Sequence, residues 1–189
     1  MTGNDIVDLD FATYPCGNKR LRLLDKIFTR REQELLDCGV AGMWAIWAMK
    51  EATYKAHHRR FNLPRRFDPK IIEVKSFEPI KDVLNARAAY DGYDYWGKGL
   101  LTSEYTHFTA SCFPGEFMFH EIHSVTVDIK TRLKECVASK MNILSNDISM
   151  VKNVHSIPQL FYKKEQINLP FSISHHGRFN AFSFQLINY

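Results

Sequence analysis

The chain has no apolar run approaching the roughly 20 residues that a membrane-spanning helix needs. Its first residues contain no basic segment followed by an apolar stretch, so no secretory signal is expected. Its four cysteines, Cys16, Cys38, Cys112 and Cys136, are widely spaced and form no CxxC pair. That spacing argues against a zinc site and, with no signal in view, for a reducing cytoplasm. There is no glycine-rich phosphate loop, no His-x-x-x-His pair and no convincing hydrolase triad. Short-period repeats and low-complexity segments are missing as well.

What is present is an ordinary folded composition. The 189 residues are 45% hydrophobic and 24% charged, enough for one good core and a single compact domain. Fourteen Phe and eight Tyr suggest a well-filled interior. The net charge of +4 is too small by itself to indicate nucleic acid. The basic residues do cluster: Lys19, Arg20, Arg22, Lys26, Arg30 and Arg31 in one stretch, His57, His58, Arg59, Arg60, Arg65 and Arg66 in another. Such stretches attract polyanions or acidic protein faces, or are solvated helix faces.

The periodicity predicts strand, helices, strands, helix, strands, which is an α+β arrangement. A strand is expected over 4–9, helices over 20–38 and 43–60, and strands near 71–74 and 100–113. Residues 79–97 give no clear period beyond turns at Asp91-Gly92 and Gly97/Gly99. Strand is expected again from Phe117 to Ile129, where Val125-Thr126-Val127 is β-branched. A helix over 130–143 and short strands near 147–151, 159–162, 171–174 and 181–187 complete the chain.

Three strings carry chemistry. Gly3-Asn4-Asp5-Ile6-Val7-Asp8 puts an acidic group in a short apolar strand. In Trp47 to Ala56, Trp47, Glu51, Tyr54, Lys55 and His58 recur every three or four residues and share one helix face. Alone, Glu51 and Lys55 read as a surface ion pair worth roughly 0.3–0.5 kcal/mol. The Trp and Ala residues around Glu51 point to burial instead, where a carboxylate needs a partner. A cation between Asp5 and Glu51 would relieve their repulsion. Mg²⁺ suits it, because it takes oxygen ligands and often only one or two carboxylates. Phe171-Ser172-Ile173-Ser174-His175-His176-Gly177-Arg178 places hydroxyls, imidazoles and turn N–H groups where a strand ends, a setting that can hold a phosphate or simply form a polar turn.

Taken together the strings resemble the 4′-phosphopantetheinyl transferases, which modify acyl and peptidyl carrier proteins. The first is similar to that family's Gly-x-Asp-Ile motif. The second resembles Trp-x-x-Lys-Glu-Ala/Ser-x-x-Lys at Trp47, Lys50, Glu51 and Lys55. The third resembles Phe-x-Ile-Ser-His-x-Gly-Arg. Leu24 to Glu32 is similar to the family's helix ending in a Phe-(Ser/Thr)-x-x-Glu turn. The motif order is that of the short trimeric holo-acyl-carrier-protein synthases. The length is closer to the two-half surfactin-synthetase-activating type. The resemblance therefore implies a pseudo-dimer with swapped halves: 1–118 holding the metal, 119–189 holding coenzyme A. A site within one chain favours a monomer, with a trimer as the alternative.

The same resemblance implies the roles. Asp5 and Glu51 hold Mg²⁺, and Glu51 and Lys55 are catalytic. Lys55, Lys134, Ser174 and His175 contact coenzyme A: Lys55 a phosphate oxygen, Ser174 and His175 the adenosine 3′-phosphate, and Lys134 at a position that carries a phosphate-binding Arg in the longer type. Arg20, Arg22 and Lys26 are the docking face for an acidic carrier protein of fatty acid or polyketide biosynthesis. No nucleic acid or membrane partner is expected. Three positions depart from the pattern. Val7 replaces a second acidic residue, leaving Asp8 as a possible helper. His57-His58-Arg59-Arg60 replaces a Gly-rich segment and either meets coenzyme A phosphates or marks altered chemistry. Ser156-Ile157-Pro158 replaces a Gly-Lys-Pro turn. The rival functions are a catalytically weak relative that only binds carrier proteins, and a basic module binding nucleic acid.

Overall fold

The computed structural model describes residues 1–12, 18–35, 39–116 and 118–185, and side chains for all of these except 18–21. Cys16 and Cys38 lie outside that set; Cys112 and Cys136 are buried free thiols. The arrangement is mixed α+β, as the periodicity predicts. No described helix is long and apolar enough to cross a membrane.

Strand β1 (Thr2–Asp8) opens the chain and is buried along its whole length. Helices α1 (Asn18–Ile27) and α2 (Arg30–Glu34) follow where one helix over 20–38 is expected. The break is a capping box at Thr29: its hydroxyl accepts from Glu32 N at 3.3 Å, and its own N–H donates to Glu32 Oε2 at 2.8 Å. The long α3 (Gly39–Phe61) then crosses beneath β1. Gly3 makes that crossing possible, since a side chain there would collide with Ala52 O and Ala56 N.

The segment without a clear period is a meander. Strands β2 (Glu73–Ile80), β3 (Val83–Tyr90), β4 (Tyr93–Leu101) and β5 (Tyr105–Ser111) join β1 in a sheet ordered β1-β5-β4-β3-β2. Asp91 and Gly92 both take positive φ, the two-residue turn that matches strand twist. Met49 and Ala52 of α3 pack with Leu84, Phe108 and Ala110 of this sheet into the first core.

The second part holds α4 (Ile129–Met141), capped by Asp128, and a sheet ordered β10-β11-β6 from β10 (Phe171–His176), β11 (Phe179–Gln185) and β6 (Met118–Ser124). Strands β7 (Ile148–Lys152), β8 (Pro158–Tyr162) and β9 (Glu165–Ile167) form a separate small sheet. Leu133, Val137, Phe182 and Phe184 anchor the second core. β6 ends at Ser124, earlier than expected. Val125-Thr126-Val127 is an exposed turn, and its β-branched propensity yields to the demands of the turn: Val125 N bonds Arg178 O, and Val127 O accepts from Asn180.

The two cores meet along β1 and β10. Asn4 N donates to Ser172 Oγ at 2.9 Å and Asp8 N to His176 Nδ1 at 3.1 Å. The contacts advance four residues on each strand in the same direction, so β1 and β10 run side by side and parallel.

Candidate functional site

A cleft of about 780 Å³ opens between these two parts. One wall is β1 and the face of α3 carrying Trp47, Glu51, Tyr54, Lys55 and His58. The other is the start of α4, the turn before β8 and the end of β10, with Ser174, His175 and His176. Both walls come from one chain.

The carboxylates sit at the floor. Asp5 is buried, and Lys55 Nζ holds its Oδ1 at 2.7 Å while also reaching Asn4 O at 3.0 Å. Burial raises the Asp5 pKa, and the Lys55 charge opposes that rise. Glu51, one turn before Lys55, is pushed up to about 7 by burial and by the Asp5 charge. Each carboxylate thus lacks enough positive charge to ionise freely. The described residues include no cluster of three His, Cys, Asp or Glu side chains suited to a metal. Two half-neutralised carboxylates in a cleft fit a hard cation that keeps other positions for water and substrate oxygens. They do not fit zinc.

The third string faces them from β10. Ser172 is spent on Asn4 N and is structural. Ser174 Oγ is buried without a hydrogen-bond partner among the described residues, as an anion-binding hydroxyl awaiting its ligand would be. His175 is exposed on the cleft wall. Beyond it Gly177 has φ +54°, and a side chain there would strike Asp8. Asp8 accepts from Arg178 backbone N, Nε and Nη2, each at 2.8 Å. The guanidinium holds the Asp8 carboxyl well below the usual carboxylate range. Asp8 is therefore a clasp between the first and third strings and is not free to help with a metal.

Lys50, next to Glu51 in the helix motif, turns away from the cleft. It is fully buried, pairs with Glu32 at 2.6 Å and donates to the carbonyls of Ile27, Pro69 and Ile72. Glu32 Oε1 in turn accepts from Val74 N at 2.7 Å. The Thr29–Glu32 cap, α3 and β2 are locked together through this one ammonium group.

The basic string at the end of α3 splits. His57 points to the sheet and bonds Tyr95 OH at 2.8 Å. Arg60 lies over Phe61 and Tyr93. His58 and Arg59 line the cleft. Lys134, expected at the cofactor, is not among the lining residues; Lys130, one turn earlier on α4, takes the cleft position. Lys134 stands on the same helix face one turn, about 6 Å, further along α4. Sequence reasoning also missed Arg65, Lys152 and His155 on the walls. Arg65 had a signal in its basic stretch; Lys152 and His155 had none. Arg22 and Lys26 are exposed on α1, and the Arg20 side chain lies outside the described set.

Residues 1–105 match the family model of the 4′-phosphopantetheinyl transferase superfamily. No curated protein matches the chain.

Proposed function

Because the chain belongs to the 4′-phosphopantetheinyl transferase superfamily, we propose that it moves the 4′-phosphopantetheine group of coenzyme A to a serine of a carrier protein. Membership sets the class of chemistry as phosphopantetheine transfer. The observation that carries the finer reading is the opposition, in one cleft, of Asp5, Glu51 and Lys55 to the unpartnered Ser174 and to His175.

In this reading Asp5 and Glu51 hold Mg²⁺, which when bound polarises the pyrophosphate and offsets its charge. Lys55, already oriented by Asp5 and Asn4 O, meets a phosphate oxygen. Ser174 and His175 take the nucleotide end. The carrier's serine oxygen bonds to the β-phosphorus as the bond to the bridging oxygen breaks, and adenosine 3′,5′-bisphosphate leaves. Glu51 and Lys55 are the groups assigned to the serine proton and to the developing charge. Rate enhancement of this kind comes from positioning and charge stabilisation.

Two further parts belong to the proposal. Residues 1–118 and 119–189 act as two similar halves in swapped order, so one chain forms one site and works as a monomer. The exposed Arg22 and Lys26, with Arg20, receive an acidic carrier. The test is incubation with coenzyme A, Mg²⁺ and a panel of apo carriers, with mass spectrometry of the carrier serine. A phosphopantetheine mass that disappears in Asp5→Asn and Glu51→Gln supports the reading. No mass on any carrier, with carrier binding retained, points to a binding-only relative.

A further inference from the structure

The two sheets that meet at β1 and β10 differ in width, and the mismatch leaves a second cavity away from the cleft. In the five-stranded sheet a side chain at Gly97 would strike Met49 Sδ of α3, so alternation turns Trp96 and Lys98 to the opposite face. The smaller sheet covers that face over β1 and β5. Thr2 Oγ1 lies 3.4 Å from Ser183 Oγ, and the His107 ring lies 5.1 Å from that of His120. β6 is the edge strand of the smaller sheet. Between it and the outer face of β3 and β4 is a cavity of about 490 Å³, a size that holds a small organic ligand. Among the described residues, none that lines this cavity also lines the cleft.

Which ligand it suits depends on the polar groups still free. Ser111 Oγ donates to Phe113 O at 2.6 Å and Thr109 Oγ1 to Lys98 O at 3.2 Å, so neither hydroxyl has a proton to offer. Glu116 is the one carboxylate on the lining among the described residues. Its Oε1 accepts from Gln185 Nε2, and its Oε2 is closed to solvent. Burial lowers the His120 pKa, so that ring adds no charge at neutral pH. What remains is Lys98, exposed and without an ion pair among the described residues, and Asn85, its direct partner on β3. Facing residues on neighbouring strands stand roughly 5 Å apart at Cβ, so the ammonium and the amide N–H can meet the two oxygens of one carboxylate. Trp96, two residues from Lys98 on the same face and about 7 Å away, begins an apolar wall that Met118 and Phe113 continue. We propose that this cavity binds an amphipathic monocarboxylate, its head on Lys98 and Asn85 and its aliphatic body along Trp96 and Met118. One ammonium beside an apolar wall balances one negative charge; a phosphate dianion would bring a second with nothing to meet it. The inference is independent of the transferase reading.

The test is calorimetric titration of the full chain at pH 7.5 with octanoate, 1-octanol and octyltrimethylammonium, which share a body and differ in head. Octanoate is expected to bind one per chain and more tightly than the other two. Lys98→Met keeps the apolar stem and removes the charge; it should weaken octanoate about tenfold and leave octanol no weaker. Trp96→Ala should weaken octanoate and octanol together, because it removes the wall that both bodies use. Thermal melts check that each variant is folded, and if Trp96→Ala is not, Lys98→Met decides alone. Octanol binding as tightly as octanoate would make the cavity a plain apolar groove and overturn the proposal. Tighter binding of octyltrimethylammonium would hand the site to Glu116 and overturn it too. So would the absence of saturable octanoate binding, or an octanoate affinity that Lys98→Met leaves unchanged.

Discussion

Glu51 is held near a pKa of about 7 by burial and the Asp5 charge, against an ordinary 4.5. The folded protein therefore keeps a proton that the unfolded chain releases earlier, and stability falls as pH rises through that window. Glu51→Gln removes the charge that must be buried. It is expected to stabilise the metal-free protein at pH 8 by about 1–3 kcal/mol, with the gain vanishing below about pH 4.5. Urea melts at several pH values measure this; a constant difference across pH contradicts it. The same substitution should cut phosphopantetheine transfer at least about a hundredfold. A residue that stabilises when removed and yet is needed for turnover is the signature of a site paid for by the rest of the fold. Asp5 and Glu51 were legible because their string combined apolar neighbours with a carboxylate. That Arg59 pairs with no carboxylate among the described residues was not legible, since the lack of a partner is a property of folded space.

At the scale of elements, the helix motif divides into two jobs that spacing alone does not separate. Glu51 and Lys55 face the cleft; Lys50 faces the core and meets Glu32. Breaking one member of a fully buried pair strands the other, so Glu32→Gln and Lys50→Ala should each cost about 3–5 kcal/mol. Lys50→Met together with Glu32→Leu should recover much of that loss. Denaturation in guanidinium with a double-mutant cycle reads the coupling; additive losses would show that the pair is not one unit. Thr29→Ala, which removes the cap that ends α1 and starts α2, should cost about 1 kcal/mol. The break at Thr29 is readable in hindsight from Thr29-x-x-Glu32, a capping box inside what otherwise has helical period. The β3–β4 hairpin was marked only by its turn, because strands carrying Ala, Gly and Tyr on both faces give no clean alternation.

For the molecule as a whole, the clasp of Asp8 with Arg178 ties β1 to the turn after β10 and so fixes the width of the cleft. The Asp8 pKa is depressed, so the clasp's contribution is present above the ordinary value of 3.8 and lost as pH falls below it. Arg178→Ala should lower Tm at pH 7, and the gap from wild type should narrow progressively as pH falls below 3.8. Thermal scans in steps from pH 7 down to the lowest pH at which the protein still folds decide this; a gap that does not narrow at all below pH 3.8 means that packing, not charge, joins the parts. The same variant should weaken coenzyme A binding while Asp5 and Glu51 remain in place, since Ser174 and His175 lose their fixed distance from them. Light scattering should give the mass of one chain, 22.1 kDa, because both walls of the cleft are present in a single copy.

By itself the sequence determined the α+β class and the three strings. Each depends on local spacing, which helix and strand periods impose on any chain. Tertiary structure decided which members of each string turn inward to hold the fold and which face the cleft. Lys50, Ser172 and Asp8 look as chemical as Glu51, Ser174 and Asp5 in the sequence. Only burial and the nearest partner separate them, because a charge satisfied inside the protein has no reach left for a substrate. On α4 it is Lys130, not Lys134, that lines the cleft.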